Sequence, residues 1–330
     1  MLTKLPIFEV LDELVEKLVS DKRAVLSAPP GAGKSTAIPI SLTKNPAFSN
    51  GKIIVLEPRR LAVKQVASRM AQTLGEPLGK TVGYRIRGES KCDEQTKVEV
   101  VTEGILIRMI QEDQQLTGIS TVIFDEFHER SLNADLGLAF CLEIASILRV
   151  DLKILVMSAT LEISAVSKLM QNAPIVSCEG KSFPVTPRWQ TKPVVHDQFM
   201  NKLLTDVILA AIDENKGSIL VFLPGELEII KLQASLKNEV LDNCHVLPLY
   251  GRLEFKDQQK AIKPMLDGRK IVLATNVAET SLTIEGIETV IDSGLSKRSI
   301  YEASSGMARL VTQKISKAEA KQRMGRAGRL

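Results

Sequence analysis

The sequence predicts an α/β chain of two tandem domains, each a mostly parallel sheet flanked by helices. Three observations lead there. Short apolar runs recur with helical patterns between them, the βαβ alternation that yields parallel strands covered on both faces. That alternation is interrupted between Pro174 and Val195 by an extended segment carrying prolines, serines and the single tryptophan, Trp189. At 330 residues the chain exceeds one ordinary core and suits two domains of about 150 residues each. We expect domains at residues 1–178 and 179–330.

In order, residues 7–20 place Ile7, Val10, Leu11, Leu14, Val15 and Leu18 at helical spacing, so a lead-in amphipathic helix is expected. Apolar runs at 24–26, 52–56, 98–101, 121–124 and 152–157 read as strands. Helical patterns at 61–74, 104–111, 134–148 and 163–170 separate most of them. Beyond the interruption, helices are expected at 199–213, 226–236 and 256–265, with strands at 218–223, 245–249, 270–274 and 289–291.

Composition excludes several classes. An apolar fraction of 44% with 25% charged residues fits a globular chain and not a disordered one. A formal charge of +4 permits a polyanionic partner without arguing for one. The cysteines, Cys92, Cys141, Cys178 and Cys244, lack a C-x-x-C pairing, which disfavours zinc and a disulfide framework and fits a reduced cytosol. No apolar run approaches a membrane span, so neither export nor insertion is expected.

The chemistry concentrates at Ser27-Ala28-Pro29-Pro30-Gly31-Ala32-Gly33-Lys34-Ser35-Thr36, between an apolar strand and a helix. Backbone N–H groups of such a turn converge on an anion at the helix N-terminus, and glycines admit close approach. This is the P-loop pattern with Ala28 in place of its first glycine; Lys34 is expected at the β- and γ-phosphates and the Ser35 hydroxyl on Mg2+. An ordinary βα turn is the alternative. Asp125-Glu126-Phe127-His128 follows the strand Val122-Ile123-Phe124, which sets two carboxylates at a strand's carboxyl end. Asp125 suits the metal and Glu126 the attacking water, against the alternative of a solvated charged loop.

Ser158-Ala159-Thr160 and the hydroxyl- and amide-rich run from Thr275 to Thr283 each end a strand. Taken alone, either is equally a capped turn. Near the C-terminus, Arg323, Arg326 and Arg329 recur every third position and on a helix form one stripe. Such like charges repel unless an anion lies against them. Arg326, far from Lys34 in sequence, is therefore a candidate arginine finger from the other domain, with a solvated basic patch as the alternative.

In order and wording these stretches resemble a DEAH-box helicase of superfamily 2, and within it the bacterial HrpB-type ATP-dependent RNA helicases. The matches span the chain: Gly33-Lys34-Ser35-Thr36 as motif I, Glu57-Pro58-Arg59-Arg60-Leu61-Ala62 as Ia and Thr102-Glu103-Gly104-Ile105-Leu106 as Ib. Residues 125–128 answer to motif II, 158–160 to III, 220–225 to IV, 275–283 to V and 322–329 to VI.

The resemblance implies two RecA-like P-loop domains closing on ATP or another NTP with Mg2+, while RNA crosses both. Pro30, Gly31, Ala32, Gly33, Lys34, Ser35 and Thr36 would surround the phosphates, with Ser35, Asp125 and Glu126 at the metal. Glu126 would be the base, and Gln322, Arg326 and Arg329 would face the γ-phosphate. Arg69 would stack on the base; Ile262 takes the place where many relatives have an aromatic, which implies weak base discrimination. Arg59, Arg60, Thr102, Thr275, Asn276, Ser281 and Thr283 would touch the nucleic-acid backbone, which needs no base readout. Residues 299–312 occupy the place of a strand-separating hairpin. The implied partner is single-stranded RNA, or an RNA duplex with a single-stranded overhang, with DNA a further candidate. A cytoplasmic monomer without membrane association is expected.

Two departures matter. Phe127 replaces the alanine of the namesake motif, as in HrpB-type members. The chain stops at Leu330, where members of the family continue into winged-helix, helical-bundle and oligonucleotide-binding domains, so a truncation of a longer protein is expected and the last helix is expected to fray. That keeps a second reading open, a nucleotide-switched RNA-binding module with little turnover. A small-molecule P-loop kinase is disfavoured by motif VI and by the lack of a second-substrate motif.

Overall fold

The computed structural model describes residues 5–29, 31–159, 163–179, 183–190, 198–237, 239, 243–265, 267–279 and 284–328. Pro30, Thr160, Ser281, Thr283 and Arg329, all singled out in the sequence, lie outside them. The chain divides into two compact units, Met1–Lys181 and Ser182–Leu330.

In the first unit a 3-10 turn, Pro6–Glu9, precedes helix α1, Leu11–Ser20. The single lead-in helix expected over 7–20 is thus broken at Val10, whose ψ of 4° departs from helical geometry. There follow β1 Arg23–Ser27, α2 Lys34–Leu42, β2 Lys52–Glu57, α3 Arg60–Leu74, β3 Val82–Ile86, β4 Glu89–Lys91, β5 Val98–Thr102, α4 Glu103–Glu112, β6 Ile119–Phe124, α5 Leu132–Ile147, β7 Lys153–Ser158, α6 Ile163–Leu169 and β8 Ile175–Ser177. The strands form an 8-stranded sheet in the order β4-β3-β5-β2-β6-β7-β1-β8. Only β4 pairs antiparallel among these strands. β3, β4 and β8 escaped the sequence reading because β3 is interrupted by Gly83 and Arg85 and the other two are three residues long.

Alternation along the central strands divides the core into two layers. Ile53 and Val55 pack with Leu14, Leu18, Ile38 and Met70 on one face, while Ile54 and Leu56 pack with Leu106, Phe124 and Leu138 on the other. Parallel pairing then brings the carboxyl ends of these strands to one edge. Ser27 pairs with Ser158, Glu57 with Thr102, and Leu56 with Phe124, one residue before Asp125.

The second unit contains α7 Gln198–Glu214, β9 Ser218–Phe222, α8 Glu226–Leu236, β10 Cys244–Leu249, α9 Phe255–Ile262, β11 Arg269–Ala274, β12 Ile287–Asp292, β13 Leu295–Glu302, β14 Met307–Lys314 and α10 Lys317–Met324. A 4-stranded parallel sheet runs β10-β11-β9-β12. β13 and β14 make a separate antiparallel hairpin, longer than the extended stretch expected over 299–312. Buried Lys270 donates to the carbonyls of Ala261, Ile262 and Lys263 at 3.2, 3.4 and 2.9 Å, closing the C-terminal end of α9.

Of the arginines expected to form a stripe near the C-terminus, Arg323 and Arg326 lie among the described residues and Arg329 does not. A capping box between Ser316 and Glu319 opens α10, but the helix ends at Met324 and leaves Arg326 in the turns beyond it. Arg323 and Arg326 are 0% and 4% exposed, so they form neither a solvated patch nor an exposed row. Beyond the helix, the amides of Gly325, Arg326 and Ala327 bond back to Lys321, Arg323 and Met324, and Gly328 accepts from Phe183.

All of Cys92, Cys141, Cys178 and Cys244 are free thiols. Among the described residues no helix is long and apolar enough to cross a membrane.

Arg149 anchors the turn before β6. Its guanidinium donates to the carbonyls of Gln115, Leu116 and Ile119 at 3.0, 3.1 and 3.0 Å, and to Asp151, whose carboxyl that bond lowers to about 2. Arg149→Ala is expected to destabilise the first unit by about 1–3 kcal/mol in urea unfolding. Asp151→Asn is expected to cost much less, because that carboxylate is largely solvated. The ion pair's small share should be present above the usual aspartate range and disappear as pH falls from about 4 toward 2.

Candidate nucleotide and nucleic-acid site

The turn after β1 is set by two left-handed glycines. Gly31 and Gly33 have φ of +85° and +93°, and Gly33 is the N-cap of α2. A Cβ on Gly33 would lie 2.7 Å from Leu5 Cδ1, so both conformation and space call for glycine there. The amides of Lys34 and Ser35, in the helix's first turn, lack intrahelical acceptors and supply part of an anion cradle.

Lys34 is buried, and its Nζ lies 3.2 Å from Glu126 Oε1 and 3.8 Å from Asp125 Oδ1. Two consecutive strand residues would face opposite sides. Glu126 escapes that alternation by adopting φ +48°, ψ +34°, a left-handed conformation that costs a non-glycine residue about 1 kcal/mol or more. Both carboxylates therefore reach one ammonium. The Asp125 carboxylate also bonds the Ser35 hydroxyl, and the Glu126 amide donates to Asp125 Oδ1 at 2.7 Å.

Burial would lower the Lys34 pKa, but Glu126, Asp125 and Glu57 together raise it, so the ammonium stays charged. Burial pushes the Asp125 carboxyl up against the pull of Lys34. Glu57, fully buried at the end of β2 within motif Ia, is the third carboxylate acting on that lysine, a role that nothing in its spacing marks. Three carboxylates against one ammonium leave two formal negative charges in the cluster. The donor set fits Mg2+: Asp125 Oδ2 is buried with no hydrogen-bond partner, beside the Ser35 hydroxyl. Among the described residues no group of three His, Cys, Asp or Glu could hold a metal ion alone.

His128 links two sequence stretches. Its Nε2 lies 3.4 Å from Glu126 Oε2, and its Nδ1 accepts from the Ala159 amide at 3.4 Å. Burial holds its pKa below the usual imidazole range, so the ring is neutral and Nε2 carries the proton toward Glu126.

The first unit also has a cleft of about 740 Å3 lined by Arg60, Arg85, Arg87, Thr102, Gly104 and Arg108, among others. Thr102 caps α4 with its backbone but makes no side-chain cap bond. Arg60 donates to the Arg87 carbonyl at 3.3 Å, and Arg59 pairs with Glu129 at 3.1 Å, just after motif II. Glu89, Glu103 and Glu112 also line the cleft, so its formal balance of four arginines against three glutamates is only weakly positive. Arg85, Arg87 and Arg108 were missed in sequence because they are scattered singly; only the parallel sheet gathers them.

Elsewhere in the first unit, Arg69 is exposed on α3. In the second unit, Thr275 is half-buried and Asn276 exposed at the carboxyl end of β11, and Gln322 is half-buried on α10. Arg326 Nε donates to the Glu279 carbonyl at 3.0 Å.

Comparisons with known proteins fit this geometry. A DEAD/DEAH box helicase family model matches residues 9–169, and a Helicase conserved C-terminal domain model matches 200–330. The chain is 48% identical over 330 residues to the ATP-dependent RNA helicase HrpB of Escherichia coli, covering 100% of this chain and 40% of that protein. It is 36% identical over 336 residues to the probable ATP-dependent RNA helicase DHR2 of Saccharomyces cerevisiae, covering 98% and 45% respectively. The crystal structure of the Escherichia coli DEAH/RHA helicase HrpB superposes with a TM-score of 0.93 at 47% identity, covering 99% of this chain and 42% of that one. The chain thus spans less than half the length of these relatives. With the P-loop, the adjacent acids and the later motifs all matched in order, the chain belongs to the DEAD/DEAH-box helicases, as a DEAH-box member of the HrpB type.

Proposed function

We propose that this chain is the motor core of an ATP-dependent RNA helicase, hydrolysing NTP with Mg2+ between its two RecA-like units so as to translocate on or unwind RNA. The observation that carries the reading is the buried Lys34 ammonium shared by the carboxylates of Asp125 and Glu126. Gly31, Ala32, Gly33, Lys34, Ser35 and Thr36 hold the phosphates, and Ser35 and Asp125, with Glu126 nearby, hold the metal. When bound, Mg2+ neutralises developing charge on the phosphate oxygens.

Phosphates entering the cradle compete with Glu126 for Lys34. Released from that ammonium and still beside the His128 Nε2 proton, the Glu126 carboxylate accepts a proton from the attacking water. In the second unit, Gln322, Arg326 and Arg329 are the groups proposed for the γ-phosphate. Arg69 stacks on the base. Arg59, Arg60, Thr102, Thr275, Asn276, Ser281 and Thr283 hold the nucleic-acid backbone, and the cleft adds Arg87 and Arg108. The substrate is single-stranded RNA or a duplex with a single-stranded overhang, engaged by a monomer in the cytoplasm. The relatives' greater length keeps a second reading, a nucleotide-switched RNA-binding module, as the alternative.

Glu126→Gln is expected to retain ATP binding while lowering turnover by at least about 100-fold, and Lys34→Ala to weaken binding itself. Unchanged phosphate release in the Glu126 variant would remove it as the base. Arg60→Ala and Arg87→Ala should each weaken RNA binding roughly equally across sequences and reduce the salt slope by about 1. Filter binding at several salt concentrations checks this, and a sequence-dependent loss would contradict backbone contact. RNA-stimulated phosphate release by the 330-residue chain separates the readings: stimulation supports the motor, and RNA binding with flat turnover supports the switch.

A further inference from the structure

We propose that Arg323 and Glu279 are positioning residues for Arg326: a buried guanidinium–carboxylate cage in the second unit sets the arginine that the proposed hydrolysis requires. The proposal rests on the reading of Arg326 as the γ-phosphate arginine. Arg323 is fully buried and draws four segments together. Its Nε donates to Glu279 Oε2 at 3.3 Å, and its Nη1 donates to Asp292 Oδ1 at 2.8 Å and to the Leu295 carbonyl at 3.2 Å. The guanidinium carbon lies 4.8 Å from the centroid of the Phe222 ring. These partners come from the end of β9, the end of β12, the start of β13 and the turn after β11.

Glu279 then acts a second time. Its side chain is held by Arg323, and its main-chain carbonyl accepts from Arg326 Nε at 3.0 Å. A bond at Nε fixes the plane of a guanidinium, because the five donors are rigidly coplanar. Arg326 stands beyond the end of α10, where helical geometry no longer sets its direction. The Glu279 carbonyl supplies that direction, and the Arg323 cage holds Glu279 in place. Lysine cannot reproduce the cage: its single ammonium lacks the planar fork that reaches acceptors on two sides while stacking on a ring. Glu279 directly follows the Thr275–Ala278 turn, so one residue joins the motif V stretch to motif VI.

A cage that merely holds the unit together would lower stability without selectively affecting turnover, and the experiment separates the two roles. Arg326→Ala comes first: unchanged phosphate release would end the reading of Arg326 itself, whatever the cage does. The expected result is a loss of about 10³-fold or more. Arg323→Lys is then expected to lower RNA-stimulated kcat about 10- to 100-fold while KM for ATP changes less than about 3-fold, since misplacing a reacting group by about 1 Å has that order of effect. In 15N spectra the Arg326 Nε–H resonance, assigned by its disappearance in Arg326→Lys, is expected to move in Arg323→Lys. If thermal unfolding shows that Arg323→Lys does not fold, Glu279→Gln, which keeps both the size of the side chain and the backbone carbonyl, carries the same two measurements. Wild-type kcat in a folded cage variant, or a fall in kcat with the Arg326 resonance unmoved, overturns the proposal.

Discussion

The first unit is organised around one buried ammonium held by two consecutive carboxylates. An uncompensated charge at the site of Lys34 would be prohibitively costly to bury, so the lysine, Asp125 and Glu126 stand or fall together. Each reaches the cluster by a different device. A glycine turn with positive φ brings Lys34 to the sheet edge, parallel register brings Asp125 to the same edge, and a left-handed backbone swings Glu126 round to join it. The strain at Glu126 is local and sits where two acids must serve one site.

The same cluster occupies both oxygens of Glu126. Glu126 is engaged by Lys34 on one oxygen and faces His128 with the other. The neutral His128 ring also accepts from Ala159, which ties the end of β6 to the end of β7. Two neighbouring strands thus share one hydrogen-bonded edge.

The second unit repeats the parallel plan with no second P-loop pattern in its sequence, and its polar interior takes a different form. Here a buried arginine, Arg323, replaces the lysine as the central cation, with Glu279 and Asp292 as its counter-ions and Phe222 beneath it. Breaking such a buried pair leaves a stranded charge, which is why it can hold irregular backbone as firmly as a ladder of main-chain bonds would.

Periodicity by itself determined most of the alternating strands and helices and the placement of Asp125 and Glu126 just after a strand, because burial on both faces of a parallel sheet writes itself into continuous apolar runs. Local pattern failed where three-dimensional context overrode it. The lead-in helix broke at Val10, and the short strands β3, β4 and β8 are held by neighbours rather than by propensity. Helical spacing does not carry Arg326, because α10 stops at Met324, and the interior claims Arg323. Only the tertiary structure decided that Glu57 joins the Lys34 cluster, that Arg60, Arg85, Arg87 and Arg108 line one cleft, and that Glu279 meets two arginines at once. Charges far apart in sequence acquire partners only when the fold removes them from water, and no spacing rule along the chain records which ones will be removed together.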